Sequence, residues 1–288
     1  MTTSKKYFSF WSIALLCFAF QFCKKQTDGF APESYTEYYP LEVGKYIIYR
    51  LDSTVFVNFD TEKEIHSYQA KDIVDAKITD AAGRPAYRIR RLIRNPDGTG
   101  EWRDNATFMV TPLDRSLEVV EDNLRFIKLT NPVKENYYWE GNSYIYAVDD
   151  LSYLQYWEYV YQDVALPYTV NDLSFDNTVT VLQVDEAAGD PELFPNSYAS
   201  KDYSAEVYAK NAGLIYKDFI HWTYEKKIQE YNCRIKFTSS TDSLQCPPPP
   251  ADCDSLARVM NGYRKCDTIS GPFSYMGYGI KLSAIEHN

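Results

Sequence analysis

The stretch "SYQAKDIVDAKITDAAGRPAYRIRRLIRNPDGTGEWRDNATFMVTPL", residues 67–113, decides how this chain is read. Runs rich in Ile, Val, Thr, Tyr and Phe are punctuated by "AAGRP" (81–85) and "NPDGTG" (95–100). β-branched and aromatic residues suit a pleated surface, and Gly, Pro, Asn and Asp clusters mark turns. Within "AYRIRRLIR" the side chains alternate. Tyr87, Ile89 and Arg91 point one way; Arg88, Arg90 and Leu92 point the other. The alternation is imperfect, which points to a bulge on one face. The four arginines Arg88, Arg90, Arg91 and Arg94 stand out in an acidic chain. Edge protection or cross-strand pairing with acids explains them better than anion binding.

Working outward, β-formers dominate from Tyr46 to Phe59 after the punctuation of Pro40 and Gly44. "RSLEVVED" (115–122) and "LRFIKLT" (124–130) follow at close spacing. In the middle, "NYYWEGNSYIYAVDD" and "SFDNTVTVLQVDEA" read as strands, while "LSYLQYWEYVYQDV" suits a strand or a short helix. "AEVYAKNAGLIYKDFIHWTYEKK" reads as a hairpin turning at Asn211-Ala212-Gly213, and "YMGYGIKLSAIEHN" supplies a last strand. No fixed-period repeat and no helical periodicity beyond three turns is present. The expected class is all-β and mainly antiparallel: a single curved sheet, half-barrel or sandwich, with at most one or two short helices.

The N-terminus sets the compartment. Lys5 and Lys6 precede an apolar run from Tyr7 to Phe22, which Lys24 and Lys25 stop. This is the charged and apolar organisation of an export signal, and the run is short for a bilayer span of about 20 residues. Cys17 lies inside the run, whereas Cys23 sits at its polar end, where a lipoprotein signal peptidase would cut. The small residue usual before a lipidated cysteine is replaced by Phe22. The reading is a signal peptide over 1–22, lipidation at Cys23, a polar tether over 23–39 and one β-rich domain over 40–288, with an uncleaved signal anchor and a soluble secreted product as the alternatives. It places the chain in the cell envelope, anchored through lipid in an outer membrane. Removing residues 1–22 takes two lysines and no acids, so the formal charge moves from −10 to −12. Such a domain repels phosphate backbones, which argues against a nucleic-acid partner.

Four further cysteines, Cys233, Cys246, Cys253 and Cys266, cluster near the C-terminus. In an exported chain they read as two disulfides stapling an excursion over 231–272. The nested pairing, Cys233–Cys266 with Cys246–Cys253 closing "CPPPPADC", is favoured over the sequential one. Their spacing lacks the close CxxC pairs of zinc sites, so no metal is expected.

"YYPLEVGKYIIYRLDS", "VYAKNAGLIYKDFIHWTYE" and "GYGIKLSAIEHN" resemble a group of uncharacterised Bacteroidota lipoproteins. Those open on Pro-Leu-x-x-Gly-x-Tyr/Trp and carry a Gly-Leu hairpin near the C-terminus; a bulky run, Cys, then Lys-Lys is similar to their signal ends. The resemblance covers about a fifth of the chain and implies an envelope-anchored β-rich domain. It carries no catalytic residues.

Nothing in the sequence assembles a catalytic motif or a cofactor site. The three histidines, His66, His221 and His287, form no metal pair, and no GxSxG or HExxH is present. No DxDxDG calcium loop occurs either. His221 reads as a packed or exposed strand residue. Among 40 acids, Glu118, Glu121 and Asp122, or Asp149 and Asp150, are candidates for a glycosidase-type carboxylate pair. The aromatic content is high, with 26 tyrosines, 15 phenylalanines and 5 tryptophans. Tyr138, Trp139, Tyr156 and Trp157 are the candidate surface for stacking a ligand. The expected role is non-enzymatic binding or structure, with a glycan, an envelope protein or an apolar molecule as occupant. A secreted hydrolase is the alternative; a curved antiparallel sheet wrapped on a helix would favour the apolar ligand, and a flat sandwich with aromatics on one face a glycan or a protein.

Overall fold

The computed structural model describes residues 33–146, 149–234, 258–260 and 263–288. The chain opens with a short helix, α1 (Tyr35–Tyr38), whose N-terminus is capped by Ser34. A meander follows: β1 (Tyr46–Val57), β2 (Glu62–Thr79), β3 (Pro85–Arg94), β4 (Arg103–Pro112), β5 (Ser116–Glu121) and β6 (Leu124–Thr130). After β7 (Tyr138–Glu140) and a 3₁₀ turn at Asp149–Leu154 come β8 (Glu158–Val170), β9 (Leu173–Ala188) and β10 (Ala199–Ala209). The long β11 (Gly213–Arg234), a short β12 (Arg258–Met260) and β13 (Tyr263–His287) end the chain.

The sheet order is β6-β5-β4-β3-β2-β1-β13-β11-β10-β9-β8-β7, with β12 paired to β13 outside that path. Every pairing is antiparallel. This is an all-β curved sheet rolled into a nearly closed barrel. The last strand pairs with the first, setting Ile47 opposite His287 and Leu51 opposite Leu282. The two sheet edges, β6 and β7, are drawn together by Ile127 N–H donating to Gly141 O at 2.8 Å and by Trp139 Nε1 donating to Ile127 O at 2.8 Å. Bringing the edges together covers backbone groups that would otherwise invite strand addition. Gly141 belongs at this seam, because a Cβ there would lie 2.4 Å from the Tyr159 ring.

Bulges let the long strands bend around the barrel. One falls between Val74 and Ala76 on β2, opposite β3, and another between Arg91 and Leu92. The extra residues are Asp75 on β2 and Asn105 on β4, so "AYRIRRLIR" itself runs unbulged between two bulged neighbours. Arg91 and Ile89 do share the buried face, while Arg88 and Arg90 point the other way toward Asp75 and Asp104. β3 is flanked by β2 and β4, so the arginines serve cross-strand pairing and do not guard an edge.

The compact unit begins at Glu33, not at Pro40. Tyr35 and Tyr38 are buried in the core cluster, Tyr35 Oη donates to Leu113 O, and Glu33 bridges to Val133. Residues 33–39 therefore pack on the barrel and are not tether. Cys17, Cys23, Cys246, Cys253 and the signal segment lie outside the described residues. Cys233 and Cys266 fall on β11 and β13, where the ladder sets Cys233 opposite Arg264 and Cys266 opposite Tyr231.

Candidate functional site

Alternation on rolled strands aims every second side chain into the barrel. On β10 these are Ser204, Glu206 and Tyr208; opposite them on β11 stand Phe219, Lys217 and Leu214. Bulges at Ser204/Ala205 and Leu117/Glu118 leave Gln183 of β9 and Lys128 of β6 as extra residues beside the ladder. The result is a belt of polar groups inside an apolar barrel. Lys128 Nζ donates to Glu206 Oε1 at 2.7 Å, Gln183 Nε2 and Tyr208 Oη donate to Oε2 at 2.9 and 2.6 Å, and Ser204 Oγ donates to Gln183 Oε1 at 2.6 Å. Further along the wall, Arg91 binds Asp72 in a two-point pair at 2.7 and 2.6 Å and lies over the Phe108 ring.

A cavity of about 290 Å³ opens above this belt. Its wall is aromatic and aliphatic: Phe126, Tyr153, Trp157, Phe219 and Tyr278, with Leu124, Leu151, Leu154 and Ile280. Its floor is polar and includes Glu121, Lys128, Gln183, Ser204 and Lys217. Tyr153, from the 3₁₀ turn, stacks on His221 with ring centroids 3.7 Å apart, and its hydroxyl meets that of Tyr278 at 3.5 Å. His221 Nδ1 lies 2.6 Å from Asp202 Oδ1. This pair and the Tyr153 ring order the rim.

The charges of the floor compensate one another. Burial pushes the Glu121 carboxyl up, but Lys217, Lys128 and Arg91 together outweigh it and bring its pKa down to about 2. Burial likewise raises Glu206, and Lys128 and Lys217 more than reverse that, leaving it below the usual carboxylate range. Two ammonium groups thus face two carboxylates.

The four aromatics singled out from the sequence fall in different places. Trp157 is 7% exposed and lines the cavity. Trp139 packs between Tyr159 and Tyr161 at the seam. Tyr138 and Tyr156 are 67% and 91% exposed. Of the candidate acids, Glu121 and the exposed Asp122 reach the cavity. Glu118 is buried elsewhere, held by Arg84, Arg125 and Tyr144. Asp149 and Asp150 begin the 3₁₀ turn.

No protein-family model, curated protein or solved structure matches the chain. Sequence reasoning missed Lys128, Gln183, Ser204 and Lys217 as cavity groups, and Glu206 as the acid that holds Lys128 and Gln183. The available signal was the run 204–209, where polar and small apolar residues alternate without either face looking dominant.

A second concavity, about 510 Å³, lies on the outer face of the barrel. Trp222, Tyr275 and Phe56 line it, with Phe56 stacked on Tyr275 at 4.7 Å. Its other lining residues include Lys63, Asp190, Glu192 and Lys201.

Proposed function

We propose that the chain is a lipid-anchored cell-envelope protein whose barrel holds a small, mainly apolar molecule in its interior. The cavity carries this reading: aromatic walls for contact area and a few convergent polar groups on the floor are the usual make-up of a small-molecule site. An apolar cavity of roughly 150 Å³ takes benzene, so about 290 Å³ suits a ligand of two fused rings or a similar short chain. The anchor rests on the sequence at Cys23, and only nine residues separate it from Glu33, where the compact unit begins. Tyr35 contacts the loop before β5, whereas Glu121 at the far end of β5 lines the cavity.

The hydrolase alternative asks for two nearby carboxyls, one of them protonated near neutral pH. Glu121 lines the cavity and Glu206 lies in the belt behind its floor, and lysines hold both ionised. That favours binding over hydrolysis.

Calorimetric titration with naphthalene tests the cavity. The wild type is expected to bind one equivalent, and Leu124→Trp, which fills the space, should lose it. Absence of wild-type binding, or equal binding by the variant, would refute the reading. Intact mass of the exported protein should drop by the acyl anchor and change its N-terminus in Cys23→Ala; otherwise identical processing would remove the anchor claim.

A further inference from the structure

We infer that the cavity's occupant is a neutral molecule with a flat apolar body and one hydrogen-bond acceptor, which the ammonium of Lys217 receives. This rests on the cavity being a ligand site and adds the chemical class. The hydrogen-bonding capacity of the floor is unevenly used. Glu206 is engaged by Lys128, Gln183 and Tyr208, and Ser204 is spent on Gln183. Lys217 differs. Its nearest carboxylate oxygens, Glu121 Oε2 and Glu206 Oε1, lie at 3.6 and 3.8 Å, beyond hydrogen-bonding distance. Its side chain is only 13% exposed, and it lines the cavity. Among the described residues nothing else accepts from it. A half-buried ammonium with three donors, ion-paired only at 3.6 and 3.8 Å, keeps donor capacity that a ligand oxygen in the cavity would take up.

Charge decides which oxygen. Lys128 and Lys217 are matched by Glu121 and Glu206, so the floor is neutral before anything binds, and the exposed Asp122 adds a negative charge at the cavity's edge. A carboxylate or sulfonate ligand would add a further anion in a partly enclosed space, beside two that the lysines already keep ionised. Uncompensated buried charge is costly. A ketone, amide, ester or ether oxygen accepts from Lys217 without that penalty. The walls supply the rest: Phe126, Trp157 and Phe219 offer faces and edges to a planar ring. A fatty-acid-type anion is thereby disfavoured, although the apolar walls alone would accept one.

Three probes with one ring system separate the terms: naphthalene, 2-acetonaphthone and 2-naphthoate, titrated near neutral pH. Wild type is expected to bind the ketone about tenfold more tightly than naphthalene, the worth of one hydrogen bond to a charged donor, with naphthoate weakest. Lys217→Met should bring the ketone down to the level of naphthalene while leaving naphthalene binding in place. Glu121→Gln, which makes the floor net positive, should raise naphthoate affinity about tenfold or more relative to the ketone and gives a readout that does not depend on Lys217→Met folding. Naphthoate binding most tightly to wild type, or a ketone preference that survives Lys217→Met, would overturn the inference while leaving the cavity reading intact. Failure of all three probes to bind would overturn both.

Discussion

Arg90 and Arg91 are chain neighbours on one strand, yet they sit in different physical worlds. Arg91 points into the barrel, where its side chain is 8% exposed and grips Asp72 at two points over the Phe108 ring. Arg90 points outward, 39% exposed, and reaches Asp104, itself 73% exposed. Both pairs have near-ideal distances. Inside, water cannot replace a lost partner, so the pair is hard to break even where its net contribution is modest. Outside, solvent and salt compete, and the pair is worth little. The same contrast separates the belt around Glu206 from the outer groove at Trp222. The interior contacts are buried and mutually dependent, whereas the exterior is a collection of independent contacts.

Perturbing each side should show that difference, in descending size. Glu206→Ala strands the Lys128 ammonium and leaves Gln183 and Tyr208 without their acceptor. Denaturant unfolding should report a loss of about 3–5 kcal/mol. Arg91→Met leaves Asp72 without its two-point partner and should cost about 3 kcal/mol, somewhat less because Asp72 keeps 15% exposure. Similar stability to wild type in either variant would mean that the interior is wetter than its geometry indicates.

Acid is the next test. The Glu121 carboxyl has its pKa depressed from 4.5 to about 2, so the folded state binds its proton less readily than the unfolded chain does. Its contribution is therefore complete above pH 4.5, declines as pH falls below that, and is gone below about 2. The shift corresponds to about 3 kcal/mol. Stability measured against pH should show that slope in wild type and a flatter one in Glu121→Gln; parallel curves would contradict the assignment. At the small end, Arg90→Met should change stability by less than about 1 kcal/mol, and added salt should shrink even that. A loss equal to that of Arg91→Met would erase the comparison.

The β class was legible because alternation and turn residues are local properties, and residues 67–113 carry both. The faces of "RIRRLIR" were legible too, since Arg91 shares the phase of Ile89. Barrel closure was not, because the pairing of Ile47 with His287 and the seam at Ile127 and Gly141 join residues whose sequences carry no mark of one another. The polar belt was hidden for a related reason. Ser204, Glu206 and Tyr208 alternate with Ala205, Val207 and Ala209, a pattern that normally sends the polar set to solvent. Here all six are buried, because the strand is covered on both faces. Glu121 and Trp157 were singled out for other reasons, as a carboxylate candidate and a stacking candidate. The rolled sheet brings both to the same cavity.

The most direct test of the interior site is a crystal structure of the protein soaked with 2-acetonaphthone. The ring is expected between Phe126, Trp157 and Phe219, with the ketone oxygen within hydrogen-bonding distance of Lys217 Nζ. A ring lodged instead against Trp222 and Tyr275 on the outer face, with the interior unfilled, would contradict the account.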